Sequence, residues 1–475
     1  MKPAQPNTRN RGYILLFFVL ATIVLFPITG LAVDVVLLYF VKARLVSAVD
    51  AGALAGARSL SRGGNFDLQK QNAIDTSKKF FAANFPKGYL LTDRNGPTMT
   101  VDVVQTEERT RTVTINANVG APLYFLRLLS SYNVPVAAMG QTSRRDVNIM
   151  MAVDRTGSLE NVGACDDVIA ASIGFSEKFS EGNDFLGLAT FAVSSRADVP
   201  LTNGNFKTQV RNVLTGMACQ NYTGGSQGLS KAFDELKAKN DPGVLNVILF
   251  FTDGIPNSIV ATWPTRRAPY YTTAPGTGGS AISPCTDQSD KVGGMRSEAS
   301  PAYGLYNKDA TGSPNPVDPG VLTTATTNNC SFRGNQTSVA TDFSYIPSFD
   351  FYGNDLRTGF GGTLSLNATT HRSYNYPPVG RKITLNGNNV ELAARNALEN
   401  AAIRIRSDAT LNTQIYAVGF GPNVNDDLLR RVANDPTSAT YNPAHQTGMY
   451  IFAPTAGAIS DAFSRIAAEI LRISL

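Results

Sequence analysis

The sequence predicts an α/β protein, and three observations carry the prediction. An uncharged apolar run, Gly12–Val33, is long enough to cross a membrane as a helix. A helical pattern and then strands of alternating polar and apolar residues follow it, as in a small helix-on-sheet module. Beyond residue 146, near-continuous apolar strands alternate with helical patterns. That is the mark of an open, mostly parallel sheet covered on both faces. The predicted organisation is a cytoplasmic tail (1–11), a transmembrane anchor (12–41), a membrane-proximal α/β module (42–146) and an open-sheet domain (147–475) interrupted by an insertion at 255–389.

The anchor comes first. Its 22 residues span about 33 Å as a helix, against a hydrocarbon core of about 30 Å. The run is longer than the apolar core of a cleaved signal peptide, the alternative, and no small-x-small site closes it cleanly. Lys2, Arg9 and Arg11 precede it without an acid, whereas Asp34 and Asp50 partly balance Lys42 and Arg44 beyond it. This bias favours a cytoplasmic amino terminus. No later segment has 18 uncharged apolar residues, so a single span is expected. Asp34 falls near the outer interface and reads as an interfacial residue, or as a contact to another membrane component. Pro27 is expected to bend or loosen the helix. Leu45–Leu60 extends it, with Gly52 and Gly56 on a small-residue face suited to close packing.

In the proximal module a break at Ser61–Gly64 precedes a helix near Asp67–Ala83. Thr98–Gln105 and Arg111–Val119 alternate as half-buried strands around the polar turn Glu107–Arg109, Leu123–Leu129 is a short helix candidate and Val134–Gln141 a third strand. No residue trio here suggests chemistry.

Composition narrows the function. The chain has 475 residues, 43% apolar and 17% charged, with a net charge of +5 and no Lys/Arg run of five. A nucleic-acid partner is therefore not expected. The two histidines, His371 and His445, have no ligand spacing, so His-based zinc sites and Ser-His-Asp triads lack support. None of Cys165, Cys219, Cys285 and Cys330 forms a C-x-x-C pair. The nearest-neighbour pairing is Cys165–Cys219 with Cys285–Cys330, one of three connectivities, against free buried thiols.

The candidate chemistry lies at strand ends. Val147–Val153 runs into Asp154-Arg155-Thr156-Gly157-Ser158, placing three oxygen-bearing side chains at alternate positions of one loop. Val244–Phe251 ends in Thr252-Asp253-Gly254, and Phe185–Val193 is a further strand. Thr223–Leu229 is a glycine-rich loop carrying Ser226 before the helical pattern Leu229–Lys239. Carboxylates and hydroxyls converging at the carboxyl ends of parallel strands suit a hard cation such as Mg2+. Val390–Ala409, Asp426–Ala433 and Ala456–Ile473 read as helices, and Thr413–Gly419 and Met449–Ala453 as strands. The 135 residues from Ile255 to Asn389 lack strong periodicity. Trp263, Phe343, Tyr345, Phe351 and Tyr374 are among too many aromatics for a simple linker, and the insertion would leave the sheet on the Asp253 side.

These motifs resemble the von Willebrand factor A domain, a Rossmann-like fold with a metal-ion-dependent adhesion site. The resemblance implies metal ligation by Asp154, Thr156, Ser158, Ser226 and Asp253, with Thr156 replacing a serine and Ser226 a threonine. It implies bound Mg2+, with Mn2+ or Ca2+ as alternatives, and a protein partner that offers a carboxylate to the cation. Arg155 alternates away from the ligands and is expected to face solvent or a partner. Gly30-Leu31-Ala32-Val33-Asp34 and Asp50-Ala51-Gly52-Ala53-Leu54-Ala55-Gly56-Ala57 are similar to the start of TadG-like proteins of the Tad (Flp) pilus-assembly family. That implies a single-pass protein of the bacterial inner membrane, with the bulk of the chain periplasmic or extracellular and envelope or pilus components as partners. The leading expectation is a non-enzymatic, metal-dependent adhesion or assembly module; the alternative is a structural envelope protein whose A domain is scaffold. An enzyme has little support, since nothing positions a general base.

Overall fold

The computed structural model describes residues 11–60, 66–107, 109–128, 132–241, 244–264, 270–271, 281–282, 290–297, 303–306, 308, 345–367 and 382–474. The chain forms two compact units, one up to Arg145 and one over Asp146–Ser474. The Ser61–Gly64 break, Cys285, Cys330, Phe343 and Tyr374 lie outside the described residues.

The first unit is built on one long helix, α1 (Arg11–Ser59), which is continuous through Pro27. Among the described residues it alone is long and apolar enough to cross a membrane. Most of its large apolar side chains between Tyr13 and Phe40 are exposed, Leu37 and Leu38 are partly covered, and beyond them Val41, Leu45, Ala48, Val49 and Ala53 are buried. The helix thus changes surroundings along its length. Its second half forms a core with α2 (Phe66–Asn84) and an antiparallel sheet of β1 (Thr98–Glu107), β2 (Thr110–Pro122) and β3 (Asn133–Arg145), in that order. Alternation decides the sheet's faces: Val113, Ile115, Ala117 and Val119 are buried, while Asn116 and Asn118 point outward. The expected helix at Leu123–Leu129 is instead a single 3-10 turn, Leu126–Leu128.

The small-residue face of α1 has a steric cause. A Cβ on Gly56 would lie 2.1 Å from Ser77 Oγ and 3.2 Å from the Ala73 carbonyl oxygen on α2. Gly56→Leu is therefore expected to force the helices apart and cost about 1–3 kcal/mol. A lowered unfolding temperature of the detergent-solubilised chain checks this, and an unchanged one would refute the close contact.

The second unit is a six-stranded, Rossmann-like sheet. Its strands are β4 (Val147–Asp154), β5 (Phe185–Phe191), β6 (Ser195–Thr202), β7 (Leu245–Thr252), β15 (Gln414–Phe420) and β16 (Met449–Ala453). Their order is β16-β15-β7-β4-β5-β6, parallel throughout except for β6, which runs antiparallel to β5 at the edge. Period-two alternation divides β4 between two cores. Val147, Ile149, Met151 and Val153 face α4 (Cys165–Ser176), α5 (Phe206–Thr215) and, from the chain's end, the helix Ala456–Ile473. Met150 and Ala152 face α6 (Gly225–Lys239), α7 (Gly387–Arg406) and α8 (Asp426–Ala433). Between β4 and α4 lies the one-turn helix α3 (Gly157–Asn161). The closing helix, α9, buries Ile459, Phe463, Ile466 and Ile470 as one stripe.

The insertion has a core of its own. β8 (Ser258–Trp263), β11 (Lys291–Arg296) and β12 (Tyr303–Tyr306) form an antiparallel sheet, accompanied by the short pairs β9 (Tyr270–Tyr271) with β10 (Ala281–Ile282) and β13 (Leu366–Asn367) with β14 (Lys382–Ile383). Trp263, Ile259, Met295, Ile346, Leu356 and Leu364 pack against Val390, Ala393, Ala394 and Ala397 of α7. Trp263 Nε1 donates to the Gly293 carbonyl at 2.7 Å, so its one polar atom is satisfied inside the core.

Candidate metal centre

β4 and β7 are neighbours, with Val153 level with Phe251. Connections from these strands leave over opposite faces of the sheet, which opens a crevice at their carboxyl ends. Asp154, the last residue of β4, and Asp253, just after β7, stand in it.

Asp154 is fully buried. Its Oδ1 accepts the Thr156 N–H at 2.8 Å and its Oδ2 accepts the Thr252 hydroxyl at 2.6 Å. Asp253 Oδ1 accepts the Ser158 hydroxyl at 2.8 Å and the Thr156 hydroxyl at 3.3 Å, and those two hydroxyls are 3.0 Å apart. Four of the five residues expected at the site are thus in one hydrogen-bonded cluster. Burial, reinforced by the neighbouring Asp253 charge, pushes the Asp154 carboxyl up to about 8, against the hydrogen bonds from Thr252 and Thr156. Burial also raises Asp253, opposed by the hydroxyls of Ser158 and Thr156. Two carboxylates this close disfavour being charged together unless a positive charge joins them.

Ser226 is placed differently from the expectation. α6 starts at Gly225, four residues before the predicted helix, so Ser226 lies in its first turn. It is buried there, and its Oγ pairs with the Gln227 side-chain amide at 3.1 Å; among the described residues it bonds to neither acid. The loop hydroxyl near the cluster belongs to Thr223. A Cβ on Gly254 would meet Thr223 Oγ1 at 3.3 Å and Ser158 Oγ at 3.8 Å. Thr223 is held by two-way pairing with the segment after Asp253: its N–H donates to Asn257 Oδ1 at 2.7 Å, and its carbonyl accepts from the N–H groups of Asn257 and Ser258 at 2.9 and 3.1 Å. The signal for it was present, a hydroxyl residue directly before the paired glycines Gly224 and Gly225. Gly224 is required by close approach, since a Cβ there would lie 2.7 Å from the Ala192 carbonyl oxygen.

Arg155 is also a correction. It is 2% exposed and does not face solvent. Its backbone bridges the end of β5 and the 216–224 segment, donating to Phe191 O at 3.0 Å and accepting from Gln220 N at 2.8 Å. Burial lowers the guanidinium pKa, and the Asp198 carboxylate of β6 opposes this. The loop 155–158 is further pinned by Gly157 N donating to Asn221 O at 3.0 Å. A disulfide, Cys165–Cys219, joins the start of α4 to the same 216–224 segment, as the nearest-neighbour pairing expected.

Among the described residues no Lys, Arg or His side chain bonds either acid, and every side-chain atom that could ligate a cation in the cluster is oxygen. Such a set fits Mg2+ or another hard divalent cation held by hydroxyls and carboxylates. Among the described residues no three His, Cys, Asp or Glu side chains converge, so the hydroxyls would have to supply part of the ligand set.

Residues 12–59 match the family model described as putative Flp pilus-assembly TadE/G-like. No curated protein matches the chain. Among solved structures, the chain is similar to the vWF domain of the type V pili tip protein Mfa5 from Porphyromonas gingivalis, with 13% identity over 70% of this chain and 97% of that one and a TM-score of 0.37. It is also similar to the PilB minor pilin from Streptococcus sanguinis, with 13% identity, coverage of 80% and 79%, and a TM-score of 0.35. A third is a von Willebrand factor type A protein from Catenulispora acidiphila, with 9% identity, coverage of 79% and 50%, and a TM-score of 0.32.

Proposed function

We propose that this chain is a non-enzymatic, single-pass protein of the bacterial inner membrane that acts in pilus assembly or adhesion. In this proposal its open-sheet domain binds a protein partner through a divalent cation, Mg2+ or else Mn2+ or Ca2+. The observation that carries it is the oxygen cluster at the switch point: buried Asp253 accepts the hydroxyls of Thr156 and Ser158, buried Asp154 accepts the Thr156 N–H and the Thr252 hydroxyl, and Thr223 stands beside Ser158. The cation would be held by Asp154, Thr156, Ser158, Thr223 and Asp253, and would supply an electrophilic position for a carboxylate from the partner. Thr252 and the Thr156 N–H orient Asp154, while Ser158 and Thr156 orient Asp253. The TadE/G-like match supports the pilus role, and the long apolar stretch of α1 supports anchoring in a membrane. The disulfide supports an oxidising compartment for the open-sheet domain, outside the cytoplasm.

The test is a crosslinked pull-down from native membranes with wild type and Asp154→Ala, each with Mg2+ and with EDTA. Envelope or pilus components recovered by wild type with Mg2+ alone are the expected result. Equal recovery in all four samples would overturn the metal-dependent binding. One observation favours that second outcome: the TadE/G-like match falls wholly within α1, so a structural role centred on the first unit, with the open-sheet domain as scaffold, is the competing reading.

A further inference from the structure

We infer that the segment Leu123–Leu128 is a second membrane-contacting element, seated beside α1 in the half of the bilayer nearer the folded unit. The exposed apolar surface of α1 runs from Tyr13 to Phe40. That is about 40 Å of helix, longer than a hydrocarbon core of about 30 Å. Asp34 lies six residues, about 9 Å, before the end of this run. A carboxylate at that depth needs partners, and Asp34 is only 1% exposed although Val33 and Val35 beside it are bare.

The segment after β2 is what covers it. Asp34 Oδ1 accepts the N–H groups of Tyr124 at 2.7 Å and Phe125 at 3.1 Å, and Oδ2 accepts that of Leu126 at 2.9 Å. One turn away, Gly30 leaves room for the segment, since a Cβ there would lie 2.9 Å from Phe125 Cβ. The Phe26 and Phe125 rings meet edge to face at 6.2 Å. The arrangement solves two problems of a lipid environment together. Peptide N–H groups outside a helix have no water to bond there and require an internal acceptor, and the acid requires donors. The Tyr124 hydroxyl is likewise satisfied inside the unit, donating to Leu90 O at 2.7 Å. Phe125 remains 41% exposed, continuous with the bare apolar side of α1, while Arg127 and Tyr132 are exposed polar-tipped residues suited to the headgroup level.

The inference rests on α1 spanning the membrane, and the test separates the two. The full chain is reconstituted in phosphatidylcholine/phosphatidylglycerol vesicles as Phe125→Trp, with Ile23→Trp as the mid-helix control and Val104→Trp, on the exposed face of β1, as the aqueous control. Trp263, fully buried, contributes a constant background. The added emission of Phe125→Trp is expected to be blue-shifted and quenched about twofold or more by lipids brominated along the acyl chain. Val104→Trp should respond to aqueous iodide instead. Adding Asp34→Ala to Phe125→Trp should remove most of the lipid quenching; if it does not, Asp34 is not the anchor. Iodide quenching of Phe125→Trp, or emission insensitive to both quenchers as beneath a protein partner, would overturn lipid contact. Failure of Ile23→Trp to be quenched by lipid would overturn the spanning helix itself.

Discussion

Asp154→Asn is expected to change sign in its effect on stability when Mg2+ is added. Without a cation the folded-state pKa of Asp154, about 8, lies above its ordinary 3.8. Ionisation then works against folding, and wild-type stability falls as pH climbs from about 4 towards 8. Asparagine carries no such charge. It can still accept the Thr156 N–H through its oxygen and donate to the Thr252 hydroxyl, so the loop keeps its shape. In EDTA at pH 8 the variant should therefore be at least as stable as wild type. With Mg2+ the order reverses, because the cation stabilises only the charged pair; at a concentration of about 100 Kd the gain is about 2.7 kcal/mol. The measurement is thermal unfolding of the full chain at pH 5.5 and 8, with Mg2+ and with EDTA. A wild-type transition indifferent to Mg2+, or an equal Mg2+ shift in the variant, would exclude a cation at Asp154.

How much of this was legible in the sequence depends on which force set each feature. Strands buried on both faces were plain, because Val147–Val153 and Val244–Phe251 are apolar runs broken only by Asn148 and Asn246, whose side chains bond each other at 2.9 Å. Helix α8, Asp426–Ala433, and strand β16, Met449–Ala453, fell where patterning put them. Strand β6 was not legible. Ser195–Thr202 reads SRADVPLT, an antiparallel edge whose half-exposed residues give no apolar signal. The insertion's core was illegible for a related reason: Trp263, Met295 and Leu356 come from distant short segments and meet only on α7. At the site, the acids were legible from their places at strand ends. Ser226 reads as a loop hydroxyl, but it stands inside α6, whose start is set by packing: a Cβ on Gly228 would lie 2.2 Å from the Phe191 ring and one on Gly225 3.2 Å from Phe250. Asp34 shows the same limit from the other side. Its oddity in an apolar helix was visible, but its partners lie 90 residues on and belong to a segment that patterning took for a helix.

Removing the Cys165–Cys219 cross-link is expected to have the largest effect on the second unit that does not touch the oxygen cluster directly. The bond closes a 54-residue separation, for which chain entropy in the unfolded state gives about 4 kcal/mol. That span contains β5, β6 and α5, so an open chain has many more ways to be unfolded. The consequence for the site is local. Cys219 stands between Met217 and the residues whose carbonyls and N–H groups fix the 154–158 loop: Gln220 donates to Arg155 O, Asn221 accepts from Gly157, and Thr223 borders Gly254. Cys165→Ser with Cys219→Ser should lower the unfolding free energy by roughly 2–4 kcal/mol. It should also raise the Mg2+ concentration needed for half-maximal thermal stabilisation, because the loop must then be ordered by the cation itself. Denaturant titration with and without Mg2+ reads both quantities. If stability drops while the Mg2+ midpoint holds, the backbone bonds to Arg155, Gly157 and Asn257 position Thr223 on their own. If neither moves, the cross-link constrains nothing that the fold does not already hold.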